Sequence, residues 1–139
     1  GNFTWQDHQF TEVEGNEEQV GNSIARIPNV MGMVGVSVDK SNFDANLSSN
    51  FLGSKFANNA NSVELEAFNI VRLDAGYTVG LGKGKERVRI GVAVFNLLDA
   101  AGVTEGSPRQ GNSQVAGGNF FVGRPILPRR VFLRATFNF

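Results

Sequence analysis

The chain contains no cysteine, which removes disulfides, thiolate metal sites and cysteine nucleophiles together. Neither sign of charge predominates, since Lys+Arg 13 balances Asp+Glu 13. No global basic field exists, so nucleic acid is not an expected partner. No run of about 18 apolar residues occurs, so no helix is expected to span a membrane. Helical periodicity is scarce as well. Its best candidate, 61–70, places Val63, Leu65 and Phe68 at loose spacing while its neighbours alternate. Tryptophan and tyrosine appear once each, and histidine once. The chain opens at Gly1 with no basic n-region or h-region, so a mature chain or a piece of a longer one is expected.

Glycine (17) and phenylalanine (12) are abundant, and hydrophobic residues make up 41% against 19% charged. A folded chain the size of one domain is expected. The most informative stretch is the last. Val131, Leu133, Ala135, Phe137 and Phe139 alternate with Phe132, Arg134, Thr136 and Asn138. A period of two defines a strand with two unlike faces. The odd face stays apolar to the final residue, where a polar, frayed end would be usual. The even face, with a charge, a hydroxyl and an amide, expects water.

The same alternation recurs upstream. Val88, Ile90, Val92 and Val94 oppose Arg87, Arg89, Gly91 and Ala93; Leu73, Ala75, Tyr77 and Val79 oppose Arg72, Asp74, Gly76 and Thr78. Phe43, Ala45, Leu47 and Phe51 oppose Asp44, Asn46, Ser48 and Asn50, with Ser49 the one polar residue on the apolar side. Val34, Val36 and Val38 oppose Met33, Gly35 and Ser37. Most of these runs approach the nine to eleven or so residues of a tilted membrane-spanning strand.

Connections sort by length. The turns at 39–42 and 82–85 are tight, whereas 12–25, 53–66 and 99–123 are long and polar. Alternating short turns and long loops is the asymmetry of an outer-membrane barrel. Counted back from Phe139, strands at 131–139, 87–96, 69–80, 43–52 and 29–38 alternate in direction, and 2–10 begins a sixth. A soluble β-sandwich used for binding or adhesion also alternates faces, and stays open as an alternative. The apolar runs, however, carry no charge, and an Arg or Lys at mid-bilayer costs about 2–4 kcal/mol on a barrel's lipid face. The expected fold class is therefore all-β, with antiparallel up-and-down strands forming the last part, about six strands, of a transmembrane β-barrel. Six strands do not close a single-chain barrel, and an open edge in lipid leaves backbone groups unpaired. Either copies assemble into one barrel, or the chain is a section of a larger one.

Particular residues then carry a resemblance. Val94-Phe-Asn-Leu-Leu-Asp99 resembles the Asn-Leu-Phe-Asp signature in the penultimate strand of TonB-dependent outer-membrane receptors, with Leu98 where Phe is commoner. The stretch 123–130 and the terminal strand are similar to that family's ending. So are Arg26-Ile-Pro28 and the Gly-Ser-Lys-Phe within 50–61, and 104–109 is similar to a loop in one branch. The resemblance spans about 2–139, with no plug domain and no TonB box.

It implies the carboxyl-terminal section of a plugged barrel of about 22 strands, in the bacterial outer membrane. Such receptors import a scarce solute (an iron chelate, cobalamin or an oligosaccharide) when the TonB complex pulls on the plug. The implied partners are the remainder of the barrel and plug, outer-membrane lipid and lipopolysaccharide, the barrel-assembly machinery, and the TonB complex through the missing plug. On this reading Val131, Leu133, Ala135, Phe137 and Phe139 face lipid and form the assembly signal. Leu73, Ala75, Tyr77, Val79, Val88, Ile90, Val92 and Val94 form lipid-facing wall.

Smaller signals each have a functional and a plain reading. The stretch 80–85 has the glycines of a phosphate loop, but a strand follows instead of a helix amino terminus, so it reads as a turn. His8, near Asp7, Glu12 and Glu14, could be half a metal site; a lone histidine reads as a loop or lumen side chain. Glu64 and Glu66 read as solvated loop charges, not an acid–base pair. Arg129 and Arg130 either contact anionic headgroups at the rim or hold a loop. Trp5, Phe120 and Phe121 either stack on a ligand or pack in a girdle. No catalytic constellation emerges; neither an enzyme nor a resident cofactor or metal is expected.

Overall fold

The computed structural model describes residues 1–82, 84, 86–109 and 120–139. Its main body is a six-stranded antiparallel sheet in the order β1-β2-β3-β6-β7-β10. The strands are β1 (Asn2–Trp5), β2 (Val30–Lys40), β3 (Phe43–Leu52), β6 (Phe68–Gly80), β7 (Arg87–Phe95) and β10 (Arg130–Asn138). All consecutive neighbours run up and down, as the alternation predicts. Two short hairpins rise between them: β4 (Lys55–Phe56) with β5 (Glu64–Leu65), and β8 (Val103–Arg109) with β9 (Phe120–Pro125). The loose helical spacing of 61–70 forms no helix; the chain there is extended through β5 and into β6. Only a single 3-10 turn, Glu17–Gln19, interrupts the β structure among the described residues.

Register converts the sequence pattern into two surfaces. Leu133 pairs with Val92, Val92 with Ala75, Ala75 with Ala45, and Ala45 with Val38. A row of directly paired residues shares one face, so this row crosses five strands without a charge. The rows above and below repeat it: Val131-Val94-Leu73-Leu47-Val36, and Ala135-Ile90-Tyr77-Phe43. At the edge, Phe3 and Trp5 continue the face opposite Gly32 and Val30. Lys40, at the turn, is the one charge at its margin. The two polar side chains within it, Ser49 and Asn69, hydrogen-bond each other at 2.7 Å.

Almost nothing covers this face. Leu133 is 81% exposed, Ile90 59% and Phe137 58%, while the buried apolar residues among those described are Ala57, Leu65 and Val94. Among the described residues the backbone of each main-sheet strand packs only beside its neighbours in the sheet, and no second layer of strands packs on it. In water, leaving such side chains uncovered forgoes about 1.5–3 kcal/mol for each large one.

The turn at Ser41-Asn42 joins β2 to β3 with Ser41 in the left-handed region (φ 55). Between β6 and β7, Gly82 takes φ 78 and the Leu81 N–H donates to the Glu86 carbonyl at 2.9 Å. The glycine-rich stretch 80–85 thus joins two strands, although Lys83 and Lys85 lie outside the described residues. The sixth strand is shorter than the expected 2–10. It stops at Trp5, after which the Gln6 N–H and side chain donate to the Asn29 and Pro28 carbonyls, both at 2.9 Å.

Candidate functional site

The opposite face of the sheet carries the charge. Arg72 and Asp74, two apart on β6, are necessarily on the same side. They form a two-pronged ion pair, Nε to Oδ2 at 2.5 Å and Nη2 to Oδ1 at 2.8 Å. A guanidinium fork matched to a carboxylate fixes direction as well as distance. A second pair spans further. Arg89 on β7 reaches Asp44 on β3, Nε to Oδ1 at 3.0 Å with Nη2 on Oδ2, crossing the intervening β6.

Glycine makes that crossing possible. Asp44 pairs in register with Gly76, and Gly76 with Gly91. A Cβ on Gly76 would fall within the Arg89 guanidinium, and one on Gly91 would meet its Nη1 at 2.9 Å. Two glycines therefore form a bare floor on which the side chain lies. Glycine inside a strand weakens it and commonly marks a close approach; here the approaching group is the arginine.

Toward the loop end the same face becomes aromatic. Arg72 lies over the Phe95 ring at 4.2 Å from its centroid, Arg130 lies 5.5 Å from it, and Phe132 meets it edge-on at 5.7 Å. Guanidinium planes favour the electron-rich ring face. Arg72, Asp74, Arg89, Phe95, Phe132 and Arg134 border a shallow concavity of about 430 Å³. It is multiply charged and open, with apolar side chains between the charges, and its lining holds no nucleophile–base pair.

The loop after β7 is fixed by the residues that carry the family-like signature. Asn96 is buried, in the left-handed region (φ 53), and donates to the carbonyls of Ala100 and Leu127, each at 2.9 Å. Its side-chain Oδ1 accepts from the Ala100 N–H at 2.9 Å. Asp99, also left-handed (φ 56), accepts from the Arg129 N–H at 2.8 Å. Asn and Asp tolerate this backbone region better than other side chains. The signature is a staple joining the end of β7 to the start of β10.

The sequence-selected residues fall as follows. Val131, Leu133, Ala135 and Phe137 are paired with Val94, Val92, Ile90 and Val88, and those with Leu73, Ala75, Tyr77 and Val79, all on the apolar face. Phe139 follows β10 and is 99% exposed. Arg129 does not stand free: it approaches Asp99 at 3.8 Å and the Leu97 carbonyl at 3.4 Å. Arg130 lies on the charged face beside Phe95. Trp5 is exposed on the apolar face at the β1 edge, while the side chains of Phe120 and Phe121 lie outside the described residues. No group of three His, Asp or Glu side chains converges among the described residues. The His8 ring nitrogens are buried without a hydrogen-bond partner there. The Arg89–Asp44 pair, 45 residues apart, was not legible in the sequence; its one signal is glycine inside two adjacent strand patterns.

No protein-family model matches the chain, and no curated protein matches it. Among solved structures, it is similar to BauA, the ferric preacinetobactin receptor from Acinetobacter baumannii, with a TM-score of 0.69 and 17% identity. That likeness covers 100% of this chain and 19% of the receptor, so the chain spans about a fifth of that protein's length. At this identity the shared property is the fold.

Proposed function

We propose that this chain is a wall section of an outer-membrane β-barrel receptor, supplying the carboxyl-terminal strands and extracellular loops of a TonB-dependent importer of a scarce solute. One observation carries the reading: six strands present a continuous apolar face, uncharged from its turn margin upward and exposed, with the charged residues of those strands on the other side. Hydrocarbon requires such a face, and a water-filled or plugged interior accepts its opposite. Strands of nine to thirteen residues make up all of the sheet except β1, long enough for a tilted crossing. The open edges at β1 and β10 would pair with the remainder of the barrel, as lipid tolerates no unpaired backbone.

A soluble sandwich needs a second layer over the apolar face, and among the described residues the strands of the main sheet pack only with one another. The fold shared with a section of a ferric siderophore receptor supports an import role. The charged face would look inward toward a plug, and the apolar face outward to lipid and lipopolysaccharide. Transport would be the property of the whole receptor with its plug and the TonB complex.

The test is to express the complete natural protein in a Gram-negative host. It should fractionate with the outer membrane, need detergent for extraction, and shift in mobility on heating. Solute uptake should disappear when TonB energisation is abolished. Recovery in the soluble fraction without detergent would reject the reading. A natural chain no longer than this one that closes a barrel from several copies would reject the larger-receptor part of it.

A further inference from the structure

We propose that Ser49 and Asn69 form a lipid site in the apolar face, a notch whose amide donates to the ester carbonyl of an acyl chain; this rests on the bilayer-facing wall read above and adds a specific contact to it. The two residues belong to adjacent strands, β3 and β6, and stand diagonally, since Ser49 pairs with Val71 and Asn69 with Phe51. Diagonal neighbours on one face lie within reach of each other. The Ser49 hydroxyl donates to Asn69 Oδ1 at 2.7 Å. The paired rows around them are apolar. Val34 and Val71 flank Ser49, and Phe51 stands opposite Asn69, with Phe3 beyond Gly32 in the same row.

The pair is not closed upon itself. A serine hydroxyl donates once, whereas asparagine brings an amide nitrogen with two further N–H donors. Among the described residues Asn69 Nδ2 donates to nothing, and it is open at the surface rather than buried. Against hydrocarbon an unpaired amide is costly. A second hydroxyl at position 69 would satisfy Ser49 without that cost. The amide therefore fits an acceptor supplied from outside the chain.

Height and charge select that acceptor. Asn69 stands opposite Phe51, and β3 climbs to Phe51 from Phe43 at the turn end. At about 3.4 Å per residue and a tilt of about 40°, the climb is about 21 Å within an apolar band about 25 Å tall. The notch thus sits just inside the loop-side boundary, where acyl chains join their headgroups through ester carbonyls. The rows around it offer no cation to a phosphate; Lys40 lies at the opposite margin of the face. A neutral carbonyl accepts from the amide, and its acyl chain continues toward the bilayer centre over Val71 and Val34.

The experiment reconstitutes the complete natural protein into vesicles of diacyl phosphatidylcholine or of its ether-linked dialkyl analogue with equal chain lengths. The ether lipid keeps the headgroup and chains but lacks the carbonyls. In denaturant titration, Asn69→Leu should raise the unfolding equilibrium constant about two- to tenfold more in ester than in ether vesicles. Damage to folding alone would appear equally in both lipids. Thr78→Val, on the opposite face, should respond alike in the two. An equal response of Asn69→Leu in ester and ether vesicles would overturn the proposal. So would an ester preference that fades as the protein is diluted in lipid, which would make the notch a contact between copies. Protein that inserts into neither vesicle rejects the receptor reading, whereas inserted protein indifferent to the carbonyls rejects this site alone.

Discussion

Arg89 and Asp44 are joined across a strand that belongs to neither of them. The arginine is on β7, the aspartate on β3, and Gly76 of β6 lies beneath the contact. Consecutive strand pairing by backbone hydrogen bonds already holds these three strands together. The ion pair adds a tie between next-nearest neighbours that fixes β3 relative to β7 directly.

Gly76→Ala should therefore act through the ion pair. Its Cβ would displace a flexible guanidinium rather than backbone, so the loss should resemble that of Asp44→Ala. The midpoint of heat-induced unfolding of the complete natural protein, followed by gel mobility, should fall a few degrees for each single variant. The double variant should be no worse than either, because both remove one interaction. Additive losses would show that Gly76 matters for another reason.

A charge at the middle of the apolar face should be poorly tolerated. Leu133 and Val92 are paired there, Leu133 at 81% exposure. Leu133→Arg should lower folding stability in a bilayer by about 2–4 kcal/mol. Thr136→Arg, on the opposite face of the same strand, should cost far less. Denaturant titration of vesicle-reconstituted protein compares the two, and equal losses would contradict the assignment of faces.

Asn96→Ala should destabilise by roughly 1–3 kcal/mol, since it removes a buried amide and leaves the partly buried backbone groups of Ala100 and Leu127 without their partner. Asn96→Asp keeps the acceptor for the Ala100 N–H and loses both donors, so it should not rescue. Limited proteolysis of the loop following β7 provides a second reading, with cleavage rising in both variants.

Phe139 extends past β10 and is almost wholly exposed. Replacing it with Gln should reduce the amount of assembled protein at the cell surface, if the assembly machinery captures the terminal strand by adding it to its own sheet. Surface labelling measures this. Unchanged surface levels would remove Phe139 from the assembly signal.

How much of this was readable in the residues depends on the reach of each interaction. The long strands were legible because one face is apolar at nearly every second position over nine residues or more, a pattern with few competitors. The hairpins were not. Lys55-Phe56 and Glu64-Leu65 are too short to display any period. Val103–Arg109 contains Gly106 and Pro108, residues depleted in strands and tolerated here in a two-stranded ribbon. The signature at 94–99 was recognisable as a pattern, but its work is done through Leu127 and Arg129, some thirty residues away.

The two glycines under Arg89 also set the relief of the charged face. An arginine projecting at right angles to a sheet is a peg on which a neighbouring body catches, whereas one laid flat along its floor is closer to a bearing surface. Any body sliding over this face meets at β6 a guanidinium already occupied by Asp44 and pressed low. Friction at that level is then governed by strand register rather than by a side chain that must first let go.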